Sequence, residues 1–365
     1  MILKSLTLTN FKNIQQASLE FSDKVNCLLG DNGMGKSNLL DAIYFLSFCK
    51  SFTGMPDAMV MRQGEDFAML QGRYVRHGAD EELLAALRRG RRKSLKRSGK
   101  EYQRLSEHIG LFPLVLASPA DMALVTGAGE ERRRLMDMVI SQTDARYLDA
   151  LIRYGRSLEQ RNRMLRDGVA DANLYLAVEM AMEASADYIC SARRQWVARL
   201  SDIFADYYHA IAGEGETPSL AYSSHLADPA VRLCDLMAER RARDAAMRFT
   251  TAGPHRDDIE MQICGMPVRR AASQGQAKTY TVALRLAQYD FLRQATRLSP
   301  LLLLDDIFDK LDASRVERIM SIVARPTFGQ IFITDTNRKH LDEILGHTGE
   351  HCAMWSVSHG QFQSL

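Results

Sequence analysis

The sequence predicts an α/β chain in which mixed β-sheets surround a central helix in a phosphate-loop head, with an α-helical arm domain inserted into that head. Three observations lead there. Near the start, a strand, a glycine-rich loop and a helix follow one another over residues 25–48. Near the end, the apolar run Leu301 to Leu304 closes on Asp305 and Asp306. Between them the hydrophobic period changes from that of strands to that of amphipathic helices.

Taken in order, Leu6 and Leu8, then Leu19 and Phe21, alternate with polar residues about the turn-like Asn10-Phe11-Lys12-Asn13, so the chain opens with antiparallel strands. Val25 to Leu29 is a short buried strand. From Lys36 to Phe48, Leu39, Leu40, Ile43, Phe45 and Leu46 make a helix apolar on most sides, as suits one packed between sheets. Residues 67–116 look β-rich and contain a basic, hairpin-like run from Arg88 to Lys100. From about Asp121 the pattern turns helical, with Gly127 and Gly129 interrupting. Amphipathic pieces follow over Glu130 to Ile140, Asp144 to Asp167 and Leu174 to Ile211, the last extending on the order of 55 Å if unbroken. They form an arm of two or three antiparallel helices. Gly213, Gly215 and Pro218 punctuate the chain, and after Met247 strands return over Ile259 to Ile263 and Met266 to Arg270. A helix over Gln274 to Thr296, the Asp305 strand, a Ser314 to Val323 helix and a Gln330 to Thr334 strand complete the pattern. The expected organisation is a head in two parts, residues 1–118 and 250–365, with the helical arm over 119–249.

The chain has 365 residues, 46% hydrophobic and 25% charged, an ordinary composition for a soluble globular protein. Net charge is only +2, so any nucleic-acid surface must be a local patch. Six scattered cysteines without a C-x-x-C pair argue against a disulfide framework or a zinc site. No apolar run reaches the ~18 residues of a membrane span, and strand-like alternation starts at the N-terminus. A reducing cytoplasm is the expected home.

Gly30-Asp31-Asn32-Gly33-Met34-Gly35-Lys36-Ser37 fits G-x-x-x-x-G-K-[ST]. The glycines let backbone amides face the phosphates of ATP, Lys36 adds a point charge, and the Ser37 hydroxyl can bind Mg²⁺. Asp305 ends its strand where it can reach the same Mg²⁺, and Asp306 then faces the attacking water. The bland alternative is two acids that merely end a strand. Ser273-Gln274-Gly275-Gln276 reads as the signature loop of ABC-type ATPases, which binds the γ-phosphate held by a second subunit, so Ser273, Gly275 and Gln276 imply an ATP-gated homodimer. Ser273 on its own reads first as a helix N-cap, and Gly275 together with the phosphate loop reverses that preference. Lys310-Leu311-Asp312 occupies the place of the loop that crosses such a dimer interface. Asp335 stands where ABC-type ATPases usually place a histidine, and a carboxylate cannot act as a cationic γ-phosphate sensor. Arg91, Arg92, Lys93 and Lys96 could grip DNA phosphates, although charge runs are usually solvated faces.

These motifs together resemble the RecF family of bacterial recombinational-repair ATPases, whose heads are similar to those of the SMC class. The resemblance runs nearly end to end and includes Asn10-Phe11-Lys12-Asn13, Gln160-Arg161-Asn162, Gly253-Pro254-His255-Arg256-Asp257-Asp258 and Ser273 through Thr279. There are departures: Pro119-Ala120-Asp121 lacks the family's middle glutamate, Gly127 to Asp137 keeps the arginines but loses a proline and a phenylalanine, and Asp309-Lys310-Leu311-Asp312 replaces Ser-Glu-Leu-Asp. The resemblance implies a weak, DNA-stimulated ATPase that dimerises on ATP as a DNA clamp. It also implies recognition of duplex DNA beside single-stranded gaps, and work with RecR and RecO to promote RecA loading. The alternative is the ATPase subunit of an ABC transporter, which carries the same nucleotide motifs but usually has a compact helical lobe and a Leu-Ser-Gly-Gly-Gln signature.

Overall fold

The computed structural model describes residues 1–228, 230–308, 311–336 and 352–365. It contains two compact units. The first, the head, comprises Met1–Asp121, Ala210–Ala212 and Gln274–Leu365; the second, the arm, comprises Met122–His209 and Gly213–Ser273.

The head opens with β1 (Ile2–Phe11) and β2 (Ile14–Glu20), paired antiparallel with Leu6 opposite Leu19. Next come β3 (Val25–Leu29), α1 (Lys36–Phe48), the short helix α2 (Asp57–Val60), β4 (Phe67–Arg76), β5 (Ala79–Arg88), β6 (Ser94–Arg97), β7 (Lys100–Glu101) and β8 (Leu114–Ala117). The arm adds α3 (Met122–Thr126), α4 (Gly129–Thr143), α5 (Ala145–Arg166), α6 (Ala172–Ala212, whose last three residues count with the head), β9 (Pro218–Ser223), α7 (Leu233–Met247), β10 (Asp258–Ile263), β11 (Met266–Pro267) and α8 (Val268–Ala271). The chain returns to the head with α9 (Gln274–Thr296), β12 (Leu301–Asp305), α10 (Ala313–Val323), β13 (Ile331–Asp335), β14 (Cys352–Ser358) and β15 (Gln361–Ser364).

Among the described residues, one head sheet runs β2-β1-β4-β5-β6-β7 and the other β15-β14-β3-β13-β12-β8. The first is antiparallel. The second is parallel except for its edge strand β15. Its strands β12 and β13 are buried along their whole length and mostly apolar, as in a parallel sheet covered on both faces. Helix α1 touches strands of both sheets and buries Leu39, Leu40, Ile43, Phe45 and Leu46, which is why its apolar residues are spread around the axis.

Two strings singled out in the sequence turn out to hold the arm together. Arg161 on α5 is fully buried and donates to Glu179 on α6 (2.9 Å), Asp244 on α7 (2.7 Å) and the Thr250 hydroxyl (2.9 Å). Its neighbour Asn162 accepts the Thr250 N–H at 2.8 Å. In the second string, Asp257 receives Arg193 of α6 at 2.8 Å and the Tyr222 hydroxyl at 2.5 Å, while Asp258 takes a two-point contact from Arg132 at 2.6 and 2.8 Å. Gly253 has φ 118°, and a Cβ there would lie 2.5 Å from the Tyr154 hydroxyl, so no side chain fits. Buried charges of this kind are tolerable only because each is paired and hydrogen-bonded.

The structure departs from the sequence expectation at four places. Residues 250–273 belong to the arm, because β10 pairs with β9 and not with a head strand. The strand expected over Met266 to Arg270 stops at Pro267, and Val268–Ala271 is a helical turn. Helix α7 and strand β9 were not expected; α7 is rich in arginine and carries a weak apolar pattern. Nor was the terminal hairpin of β14 and β15 expected, whose first strand is mostly half-exposed and whose second is mostly exposed. Asp309 and Lys310 of the expected interface loop lie outside the described residues. Asp312 is the N-cap of α10 and accepts the Arg315 N–H.

His108 in the head gives a pH prediction. Its Nε2 donates to the Leu46 carbonyl at 2.7 Å, its Nδ1 faces the Tyr102 hydroxyl at 3.2 Å, and burial pushes its pKa down to about 4 from 6.5. The folded head therefore keeps the ring neutral where the unfolded chain protonates it. Its contribution is complete above pH 6.5 and is lost as pH falls from there towards 4, by at most about 3 kcal/mol. His108→Gln, which can still donate to Leu46, is expected to flatten the acid side of a melting-temperature profile. An unchanged acid slope would show that His108 is not responsible.

Candidate nucleotide site

Strand β3 delivers the chain to Gly30, and the loop then needs backbone that ordinary residues resist. Gly33 has φ 80° and Gly35 φ 115°, and a Cβ on Gly30 would sit 2.3 Å from the Val357 carbonyl oxygen. Gly35 is the N-cap of α1 and offers no side-chain cap, so the first amides of the helix keep their donors for an anion. Lys36 is buried and its Nζ donates to the carbonyls of Gly30 (2.6 Å) and Asp31 (3.0 Å), curled across the loop mouth. The exposed side chains of Asp31 and Asn32 line that mouth.

Across the sheet, the buried leucines of β12 carry Asp305 to the same end. The Ser37 hydroxyl donates to Asp305 Oδ1 at 2.8 Å, and the Thr334 hydroxyl donates to the same oxygen at 2.7 Å. Asp305 is pushed above the ordinary carboxylate pKa, chiefly by burial, against the opposing pull of these two hydroxyls. Asp306 is held at φ 52°, an unusual conformation for a residue with a side chain, and its N–H reaches the Thr334 hydroxyl at 3.0 Å. Strain of this kind often accompanies function. The structure thus brings Lys36, Ser37, Asp305 and Asp306 to one edge.

Two further contacts brace the loop and were not foreseen. Asn13 donates to the Met34 carbonyl at 3.3 Å and accepts from Asn38 at 2.7 Å. From the C-terminal hairpin, the Gly360 N–H donates to the same Met34 carbonyl at 2.8 Å. The signal was available: His359 (φ 49°) and Gly360 (φ 76°) form a two-residue turn with positive φ at both positions, as tight hairpins require. Behind the loop, Lys12 pairs with the buried Asp41 of α1 at 2.6 Å and fixes the helix to the β1–β2 turn.

Gly275 and Gln276 lie in the first turn of α9, directly after Ser273. Gly275 faces Arg315. Asp335 is buried at the end of β13, opposite Leu29 of β3.

The basic run divides into used and unused charge. Lys93 is committed to the fold: it donates to the Cys49 carbonyl at 2.5 Å and to Asp57 at 3.0 Å, and lies 5.3 Å from the Phe45 ring centre. The expectation that Lys93 grips DNA phosphates is therefore corrected. Arg97 grips Glu81 at two points, and Arg89 pairs with Asp66. Arg91 and Arg92 are exposed in the β5–β6 turn, and Lys96 is half-buried on β6.

Among the described residues, no three His, Cys, Asp or Glu side chains cluster as a metal site, and no helix is long and apolar enough to cross a membrane. One hydroxyl and one carboxylate oxygen nevertheless make a donor pair that suits Mg²⁺, which takes most of its remaining ligands from water and substrate phosphates.

Residues 2–349 match the RecF/RecN/SMC N terminal domain family. The chain is 48% identical over 365 residues, 100% of both chains, to the DNA replication and repair protein RecF of Parabacteroides distasonis. It is 48% identical over 362 residues, 99% of both, to the protein of the same name from Porphyromonas gingivalis. Among solved structures it is similar to the recombination mediator protein RecF-ATPrS in the RecFOR pathway, with a TM-score of 0.89 and 26% identity over 100% of this chain and 98% of that one. An Smc head domain bound to the C-terminal domain of ScpA, from Pyrococcus furiosus, shares the fold with a TM-score of 0.60 at 16% identity over 100% and 96%.

Proposed function

The chain belongs to the RecF family of SMC-like ATPases, and from that premise we propose that it is an ATP-gated DNA clamp of recombinational repair. It closes as a homodimer on duplex DNA beside single-stranded gaps and works in the cytoplasm with RecR and RecO to promote RecA loading. Hydrolysis is slow, stimulated by DNA, and resets the clamp. The observation that carries this reading is the convergence of Ser37 and Thr334 on Asp305 beside the uncapped start of α1. Full-length likeness to RecF proteins supports this reading over a transporter subunit.

In this reading the amides of Gly33 to Ser37 cradle the phosphates, and Lys36 exchanges its two carbonyl partners for phosphate oxygens. Ser37 and Asp305 would hold Mg²⁺, which when bound would neutralise phosphate charge. Asp306 orients the attacking water: its oxygen bonds to the γ-phosphorus, the bond to the β–γ bridging oxygen breaks, and ADP leaves with that electron pair. The water's proton passes to the Asp306 carboxylate and on to solvent. Ser273, Gly275 and Gln276 meet the γ-phosphate bound by the other copy, so ATP joins two heads.

Arg91, Arg92 and Lys96 contact DNA phosphates. Changing each to glutamate is expected to weaken duplex binding equally across unrelated sequences and to lower the salt slope by about 0.9 per contact removed. Lys93→Glu should instead lower the melting temperature, since it sets two carboxylates side by side at Asp57. The deciding measurement is retention on duplex DNA with ATP against ADP; equal retention would overturn the clamp, and an unchanged salt slope would return the basic turn to a solvated face.

A further inference from the structure

A Cβ on Gly275 would lie 2.7 Å from Nη1 of Arg315, at the far end of that flexible side chain. The guanidinium therefore rests against the backbone of the signature loop. Arg315 lies in the first turn of α10, and Asp312 holds it twice, accepting its N–H at 2.9 Å and pairing with its Nε at 3.4 Å. That pairing leaves the charge available, because Asp312 is 58% exposed and an exposed ion pair is worth roughly 1 kcal/mol or less. The buried arginines Arg161, Arg193 and Arg285 differ, since each is paired with an enclosed carboxylate.

A second observation gives the arginine something to do. Asp335 stands where ABC-type ATPases usually place a histidine, and it is an acid buried at the end of β13. Asp335 itself brings no positive charge to the site, while the planar guanidinium, which suits phosphate oxygens, lies against the loop assigned to the other copy's γ-phosphate. We propose that Arg315 is a further catalytic residue acting across the dimer, its guanidinium binding the γ-phosphate of ATP held by the phosphate loop of the second copy. The proposal rests on the assignment of Ser273 to Gln276 as the signature loop. Charge that builds on the γ-phosphoryl oxygens as the bond to the bridging oxygen breaks is met by Arg315 of one copy and Lys36 of the other.

The test uses full-length protein carrying Arg315→Ala, Arg315→Lys, Ser273→Arg or Asp306→Asn, with ATP turnover and ATP-induced dimers measured for each. Arg315→Ala is expected to cut turnover at least about 100-fold with an unchanged melting temperature, and Arg315→Lys to recover part of it. Mixing Arg315→Ala with Asp306→Asn, each inactive alone, should restore turnover, because one of the two shared sites in the mixed dimer then has both groups intact. Failure to restore would overturn action across the dimer. Parental turnover in Arg315→Ala, while Ser273→Arg fails to dimerise, would overturn the role of Arg315 alone. Ser273→Arg dimerising like the parent would overturn the signature assignment beneath it. Should Arg315→Ala not fold, Arg315→Gln takes its place in the same mixture with the same outcomes.

Discussion

Lys36→Ala is expected to abolish ATP-induced dimerisation and turnover by removing ATP binding itself. In the ligand-free head the ammonium is held by the Gly30 and Asp31 carbonyls, so it is already stationed at the loop mouth. ATP binding trades these two neutral acceptors for charged ones. Losing a charge-assisted pair of that kind costs about 3 kcal/mol, or roughly 100-fold in affinity. The fold should survive, since the carbonyls freed face the loop mouth and can take water. Calorimetric titration with ATP and a melting curve check both halves of the expectation. Parental affinity in a folded Lys36→Ala protein would remove the phosphate loop from the nucleotide site.

Asp306→Asn should have the opposite signature, with binding kept and turnover lost. The backbone there is held at φ 52° by the Thr334 contact, and asparagine tolerates that conformation as readily as aspartate. The exchange therefore removes a charge without disturbing the strand end. Loss of a positioned base lowers hydrolysis by about 100- to 10,000-fold, while the phosphate loop, Lys36 and Ser37 still hold ATP. The dimer should stay closed and its residence on DNA should lengthen. Asp305→Asn should differ by weakening Mg²⁺ dependence as well, because Asp305 is the acceptor shared by Ser37 and Thr334. Rapid release from DNA by an Asp306→Asn protein that no longer hydrolyses ATP would sink the clamp.

The site was legible unevenly. The loop from Gly30 to Ser37, the helix after it and the leucines before Asp305 are contiguous, and each carries its own steric or hydrophobic signal. The roles of Arg161 and Asp257 were not legible, although both lay in strings noticed in the sequence, because their partners come from α6, α7 and β9. Lys93 was misjudged for a related reason. Within a run of positive charge nothing local distinguishes the lysine that turns inward to Asp57 from the arginines that stay in water.

What the sequence determined by itself is whatever neighbouring residues decide together: the periodicity of α1 and α6, the glycines a phosphate loop must have, and the acids at the end of an apolar strand. Tertiary structure alone decided which distant backbones meet. Asn13 and Gly360 converge on Met34 because the sheet sets β14 beside β3 and the β1–β2 turn lies against the same loop. Arg315 reaches Gly275 because the head brings the first turn of α10 to the first turn of α9. Strand order and helix packing are fixed by burial summed over the whole core, and no short stretch of sequence contains that sum.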